Sequence, residues 1–446
     1  MTPTAKPSAP LPPATRRSFL SAASLGTASL GTASLLGLSA CEGTMRAGHD
    51  PRPAPDVAEP ALATPIGRWL VVADRLCGDP NAAWPRADSI ALVTRAMHDG
   101  LNAAQPRYHR WLPRNGTEPA SNGASPSVTL AAAAFTVVTG RSNPAAHGDA
   151  RALLDATLAA EPAEAARTAG LALGAAIGTA TLASAGPRPP AKETFPVFNE
   201  MGRWRPAPPA GRNSYYDLSA PLLFPSRDSL LGPPPPTLDS PEYLADVAET
   251  RRLGGTTSTD RTEEQGDISR FWVPQLIPRN MMLVLLRRMT ARPLPGGVWD
   301  EARMASILAT AFADADVFVY GYKAHFAYWR PVTGINLGSP GVRPDPIWQP
   351  LLVTPYHPEY PSGHSADIAT GTHVIAGLLG EFPFTYQALE RQGRPTRDFP
   401  SLAAARTECS NSRIWCGAHF RHACNEGERI GQAIATKALA QVQRIA

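Results

Sequence analysis

His357-Pro358-Glu359-Tyr360-Pro361-Ser362-Gly363-His364-Ser365 opens the run HPEYPSGHSADIATGTHVIAGLLG, residues 357–380, and the rest of the chain is interpreted outward from it. Pro361 is excluded from a helix interior but suits a first turn. Apolar residues then recur at helical spacing through Ile368, Val374, Ile375 and Leu378. Ser362, Gly363 and His364 are therefore expected where a helix begins. Such an end carries unpaired backbone N–H groups and a partial positive charge, which suit an oxyanion. Gly363 allows close backbone approach, Ser362 offers a hydroxyl, and His364 can move a proton near neutral pH. A plain helix cap accounts for an isolated Pro-Ser-Gly-His equally well, so the flanking chain has to discriminate.

Upstream, Lys323 and Arg330 stand seven apart in the run ending Tyr328-Trp329-Arg330-Pro331. If the helix continues, seven residues are almost two turns and both cations share a face until Pro331 stops it. An exposed basic stripe is the plain alternative. The aromatic neighbours Phe326, Tyr328 and Trp329 argue for burial, and buried cations need an anion. Downstream, Arg413 and His419 are six apart, which suits an Arg near a loop or helix entry and a His one turn into the next helix. A structural metal site from Cys416, His419, His422 and Cys424 is a rival use of the same stretch.

Between these elements the chain has helical periodicity and no strand-like alternation of useful length. Helices are expected over 89–104, 128–141, 146–186, 240–253, 262–272, 280–293, 299–328, 398–408 and 417–443. Residues 187–240 form a long Pro-rich crossing, and 338–357 a second such loop. The expected fold class is all-α, with helices packed as bundles and long Pro-rich loops. The expected domain covers 66–445, with an N-terminal helical half, 66–240, and a C-terminal half, 241–445, that carries the site.

The N-terminus reads as a targeting segment. Arg16-Arg17-Ser18-Phe19-Leu20 resembles a twin-arginine export signal, and Leu38-Ser39-Ala40-Cys41 a bacterial lipobox with Cys41 as the lipidated residue. Residues 1–41 are then signal and lipobox, and 42–65 a flexible tether. The expectation is an exported periplasmic or cell-envelope lipoprotein, with ordinary secretion as the alternative. Removing residues 1–40 takes away Lys6, Arg16 and Arg17 and no acid, so the formal charge of +4 falls to +1. The basic balance therefore gives no reason to expect a nucleic-acid partner. Cys77, Cys409, Cys416 and Cys424 remain, enough for two disulfides in an oxidising compartment or for none if the chain folds before export.

Taken together, Lys-x6-Arg-Pro, Pro-Ser-Gly-His and Ser-Arg-x5-His occur in order and with the internal spacing of the type 2 phosphatidic acid phosphatase and vanadium haloperoxidase superfamily. Thr94–Ala103, Arg270-Phe271-Trp272, Tyr328–Thr333 and His357–His364 resemble its exported bacterial haloperoxidase-like branch. The resemblance covers most of residues 66–440. It implies that Lys323, Arg330, Ser362, Gly363 and Arg413 bind vanadate or phosphate. It further implies that His419 is the axial vanadium ligand or the phosphorus nucleophile, and that His364 is the acid–base group. The sequence departs from the family pattern at one place. The Asp that usually follows the third-motif His by four residues, and orients its ring, is Ala423 here; Asn425, Glu426 or a backbone carbonyl are the candidate substitutes. His422, His325 and His98 are expected in packing or surface roles.

Three functions follow. One is a haloperoxidase-like enzyme that uses vanadate and hydrogen peroxide to oxidise halide. Another is an exported acid phosphatase acting on lipid phosphates or soluble phosphoesters through a phosphohistidine, with no cofactor. The third is a catalytically weak oxyanion-binding lipoprotein.

Overall fold

In the computed structural model, residues 60–445 are described, apart from 78–85, 117, 143, 145–146, 187–192, 208–210, 217–218, 293 and 388–395. The twin-arginine segment, Cys41 and most of the 42–65 tether lie outside the described residues, as does the side chain of Cys77. The helical body starts earlier than 66. A short 3-10 turn at Pro60–Leu62 buries Ala61 and Leu62, so the end of the expected tether belongs to the core.

The chain is all-α in architecture. The N-terminal helices are α1 (Pro65–Cys77), α2 (Arg86–Ala104), α3 (Pro126–Arg141), α4 (Gly148–Ala160) and α5 (Glu164–Ser184). The expected helix over 146–186 is two helices because Pro162 lies between them, removing an N–H donor and restricting the preceding residue. The α3–α5 contact is close because glycines face it: a Cβ on Gly174 would lie 2.5 Å from Thr129 O.

The long crossing follows, with only a two-residue pairing of β1 (Glu193–Thr194) and β2 (Tyr215–Tyr216). It is tied to the centre of the fold where Trp204 N donates to Ala327 O and Trp329 N to Gly202 O. Helices α6 (Pro241–Gly254), α7 (Glu263–Trp272) and α8 (Ile277–Ala291) lead into α9 (Val298–Phe326). Ser240 caps α6, and Thr262 with Gln265 forms a capping box on α7.

The central element is α9. It is predominantly apolar and mostly buried, long enough by length and composition to cross a membrane, and here packed between other helices. It meets α2, α8, α11 (Gly363–Leu379) and α13 (Arg421–Leu439). The short α10 (Pro331–Leu337) follows α9. A small hairpin of β3 (Phe384–Tyr386) with β4 (Arg397–Phe399) precedes α12 (Leu402–Trp415). These pairings are two or three residues long, in keeping with the expectation of no strand of useful length. Local hydrogen bonding at loop ends makes them, and neither contributes a layer to the fold.

The α11–α13 pair sets the site. Ala423, Gly427, Gly431 and Ala435 recur every four residues along α13, and all are buried. A Cβ on Gly427 would lie 2.5 Å from Ser362 O, and one on Gly431 2.5 Å from Ala366 O. Backbone therefore rests on backbone where α11 begins, and the oxyanion-friendly helix start is held from behind.

Candidate active site

Ser362 is the N-cap of α11, with extended backbone, and Gly363 is the first helical residue. The helix thus begins where the sequence places it. Ser362 Oγ accepts from Ser365 N at 3.4 Å and from Ser365 Oγ at 3.0 Å, which leaves its own proton to donate. A Cβ on Gly363 would meet nothing nearer than Val319 Cγ1, at 3.7 Å. The glycine thus keeps space open at the helix start.

Lys323 and Arg330 do not share a helix face, because the helix does not continue. It ends at Phe326, Ala327 takes a left-handed conformation with φ 43°, and Arg330 is the N-cap of α10. Pro331 starts a helix instead of stopping one. The reversal nonetheless brings both cations to the loop before α11. Lys323 Nζ donates to the carbonyls of Pro358 and Glu359, each at 2.9 Å, and to that of Pro361. Burial and then Arg330 push its amine well down from the ordinary lysine value. Three carbonyl acceptors nevertheless require three N–H groups, which only the ammonium has. Arg330 Nε donates to His357 O at 2.9 Å, and Nη1 to Ala418 O at 2.8 Å. Burial lowers its guanidinium to about 10, so it stays charged at neutral pH.

Arg413 lies in the last turn of α12 and is buried. His419 is not inside the next helix. It sits in the loop before Phe420, the N-cap of α13. The spacing of six has a backbone cause: the carbonyl of Arg413 accepts from Ala418 N at 3.0 Å and from His419 N at 3.1 Å. Gly417, with φ 76°, makes the turn, and a Cβ there would lie 2.6 Å from Gly254 O.

Lys323, Arg330 and Arg413 are each fully buried or nearly so, beside a buried His419. Burial first, and then Arg330, Lys323 and Arg413, push the His419 imidazole well below its ordinary value. His364 is pushed down in the same way, chiefly by burial and then by Arg413. Its Nε2 is buried and has no hydrogen-bond partner among the described residues.

Two residues escape the sequence analysis. Glu359 is wholly buried; its Oε1 lies 3.0 Å from His419 Nδ1 and accepts from Phe420 N at 2.9 Å. Burial pushes its carboxyl up, while His422, Arg330 and the Phe420 N–H oppose that shift. The substitute for the missing Asp is therefore none of the three expected groups. Asn425 is exposed, and Glu426 pairs with Arg429 at 2.7 Å. The available signal was a carboxylate inside an otherwise uncharged Pro-rich run next to Pro-Ser-Gly-His. The second is His357, whose Nδ1 lies 3.0 Å from Arg330 Nη2.

His422 is bonded through Nδ1 to Asp246 of α6. His98 is buried against Asp99 at 2.9 Å, and His325 is exposed. Neither joins the cluster. Cys409, Cys416 and Cys424 are buried free thiols. No group of three or more His, Cys, Asp or Glu suited to a metal occurs among the described residues, so the rival structural metal site has no support.

These residues fit a tetrahedral oxyanion. Three buried cations lie around His419 with one buried carboxylate beside it, His364 Nε2 is an orphaned polar atom among the described residues, and Gly363 leaves space beside the helix start. Vanadate and phosphate satisfy that set equally by shape and charge.

Residues 303–446 match the family model described as the VCPO second helical-bundle domain. No curated protein matches the chain. Among solved structures, the chain is similar to the first bacterial vanadium-dependent iodoperoxidase, with TM-score 0.63 and 20% identity over 86% of this chain and 97% of that one. It is also similar to a holo-type bacterial vanadium-dependent chloroperoxidase, with TM-score 0.59 and 15% identity over 87% of this chain and 95% of that one. The apo-type chloroperoxidase aligns over 78% of this chain and 91% of that one, with the same TM-score of 0.59.

Proposed function

We propose that this chain, which has the fold of the vanadium haloperoxidases and carries their second helical bundle in residues 303–446, is a vanadium-dependent peroxidase that oxidises halide with hydrogen peroxide. The observation that carries this reading is the convergence of Lys323, Arg330 and Arg413 on a neutral His419, in a fold whose similar solved structures are vanadium-dependent peroxidases. When bound, vanadate would supply activation of peroxide for a two-electron oxidation.

The chain's own residues do the rest. Arg330 and Arg413 would donate charge-assisted hydrogen bonds to oxyanion oxygens, and Lys323 would supply charge from behind its carbonyl shell. The Ser362 hydroxyl and the Gly363 N–H add neutral donors at the helix start. His419 Nε2, the ring nitrogen that holds the lone pair, would bind the vanadium. His364 Nε2 would be the group that takes or gives a proton beside the bound oxyanion.

One purified preparation tests the reading two ways. After orthovanadate loading, bromide and iodide oxidation with peroxide is expected. Aryl phosphate hydrolysis that vanadate inhibits, without halide oxidation, would instead establish the phosphatase. If neither activity appears but vanadate raises the melting temperature, the chain is an oxyanion-binding protein only.

We also propose that residues 1–41 direct twin-arginine export and lipid anchoring at Cys41. The support is the sequence pattern itself. Palmitate labelling that is lost in Cys41→Ala tests it, and an unlabelled wild type would refute it.

A further inference from the structure

His419 can carry its ring proton on only one nitrogen here. Its Nε2 lies 3.0 Å from Arg330 Nη1, and a guanidinium only donates. Nε2 must therefore hold the lone pair, and the proton is on Nδ1. That nitrogen lies 3.0 Å from Glu359 Oε1. The same oxygen accepts from Phe420 N, the N-cap of α13, at 2.9 Å. One carboxylate oxygen thus fixes both the ring and the backbone that carries it, at a helix N-terminus that favours an acidic group.

Glu359 is supported in turn. Its Oε2 faces His422 Nε2 at 3.8 Å, beyond direct bonding reach. His422 is held on its other side by Asp246, whose carboxylate also accepts from His422 N at 3.2 Å. Asp246, His422, Glu359 and His419 form one row from α6 to the pocket. Ala423, where a carboxylate is usual, is a buried methyl on the face packed against α11.

We propose that Glu359 is the positioning residue of His419. It holds the Nδ1–H tautomer and the ring plane so that the Nε2 lone pair stays on the Arg330 side of the ring, where an oxyanion held by Arg330 would meet it, and the His422–Asp246 pair lies behind Glu359. The benefit to catalysis rests on the oxyanion-pocket reading; the tautomer does not.

The test uses protein carrying 15N-labelled histidine, with His419 assigned by its loss in His419→Gln. In the ligand-free wild type, His419 is expected to be protonated at Nδ1 alone. Glu359→Leu is expected to give the other tautomer or a mixture, and Glu359→Asp to restore the wild-type pattern. Calorimetry with orthovanadate and with inorganic phosphate is expected to show a roughly 10- to 100-fold weaker Kd in Glu359→Leu. An unchanged His419 spectrum, or wild-type vanadate affinity, in Glu359→Leu overturns the proposal. Should that variant fail to fold, Glu359→Gln decides. Its amide can hold the ring N–H without the charge, so vanadate affinity is expected to fall several-fold with circular dichroism unchanged, and wild-type affinity overturns the proposal. If the wild type binds neither anion, the pocket reading fails, and the His419 spectrum alone decides the role of Glu359.

Discussion

The backbone N–H of Ser362 donates to the carbonyl of Ala423 at 2.9 Å. The cap of α11 is thereby joined by a backbone bond to the first turn of α13. One turn further along α13, Gly427 maintains the contact. Gly427→Ala is expected to push its methyl against Ser362 O, which would lie 2.5 Å away. The neighbour is backbone and cannot rotate aside, so a loss of about 1–3 kcal/mol is expected. Urea denaturation checks it. Wild-type stability would show that the two helices separate without cost.

Gly363 predicts the opposite pattern. A Cβ there meets only Val319 Cγ1 at an ordinary 3.7 Å, and alanine favours a helix. Gly363→Ala should leave the melting temperature within a degree or two while orthovanadate affinity falls roughly tenfold, an effect of about 1.4 kcal/mol. Equal vanadate affinity in the variant would mean that the oxyanion does not approach this residue.

Arg330→Lys keeps the charge but not the fork. The arginine spans His357 O, Ala418 O and His419 Nε2, and an ammonium cannot reach all three. Loss of one charge-assisted hydrogen bond to the anion, about 1.5–3 kcal/mol, predicts a roughly 10- to 100-fold weaker phosphate or vanadate Kd. Calorimetric titration at neutral pH measures it. An unchanged constant would reduce Arg330 to a structural cation.

Asp314 gives a prediction about pH. It is buried in α9 and accepts from Leu222 N and, at 2.9 Å, from Leu223 N. Burial raises its carboxyl to about 6, against an unfolded value of about 3.9. A raised folded value stabilises below the unfolded one and is lost as pH rises through the folded one. Asp314→Asn should therefore gain on the wild type between about pH 4 and pH 6, by up to roughly 3 kcal/mol. Paired denaturation curves across that range test it. A difference that is constant with pH, or that shrinks, contradicts the assignment.

The site was legible in the sequence as far as its residues are local. Ser362, Gly363 and His364 are consecutive, and a backbone bond joins His419 to Arg413 across the short turn that ends α12. Chain order and spacing carry such information. The path from Lys323 to Arg330 was not legible, because it turns on Ala327 in a left-handed conformation. Glycine or asparagine would have signalled that conformation, and alanine does not. Glu359 was hidden for another reason. It lies sixty residues from His419 in the chain, and the two meet only because α13 packs on the start of α11. The α4–α5 break is an intermediate case: Pro162 is plain in the sequence, but the Ala-rich periodicity on both sides outweighs it in a reading by pattern. The overall class needed no such detail, since helical spacing recurs through almost every segment.

Lys323 has a consequence for the solution in which the protein works. Its ammonium is surrounded by the carbonyls of Pro358, Glu359 and Pro361, much as a potassium ion is surrounded in an ionophore, except that this ion is attached to the chain. It cannot wash out or exchange with sodium. Salt weakens exposed ion pairs at separations near the Debye length, but it screens a buried cation of this kind far less. For a site whose proposed substrate is a halide, the charge that Lys323 contributes is therefore expected to change little between brine and dilute buffer.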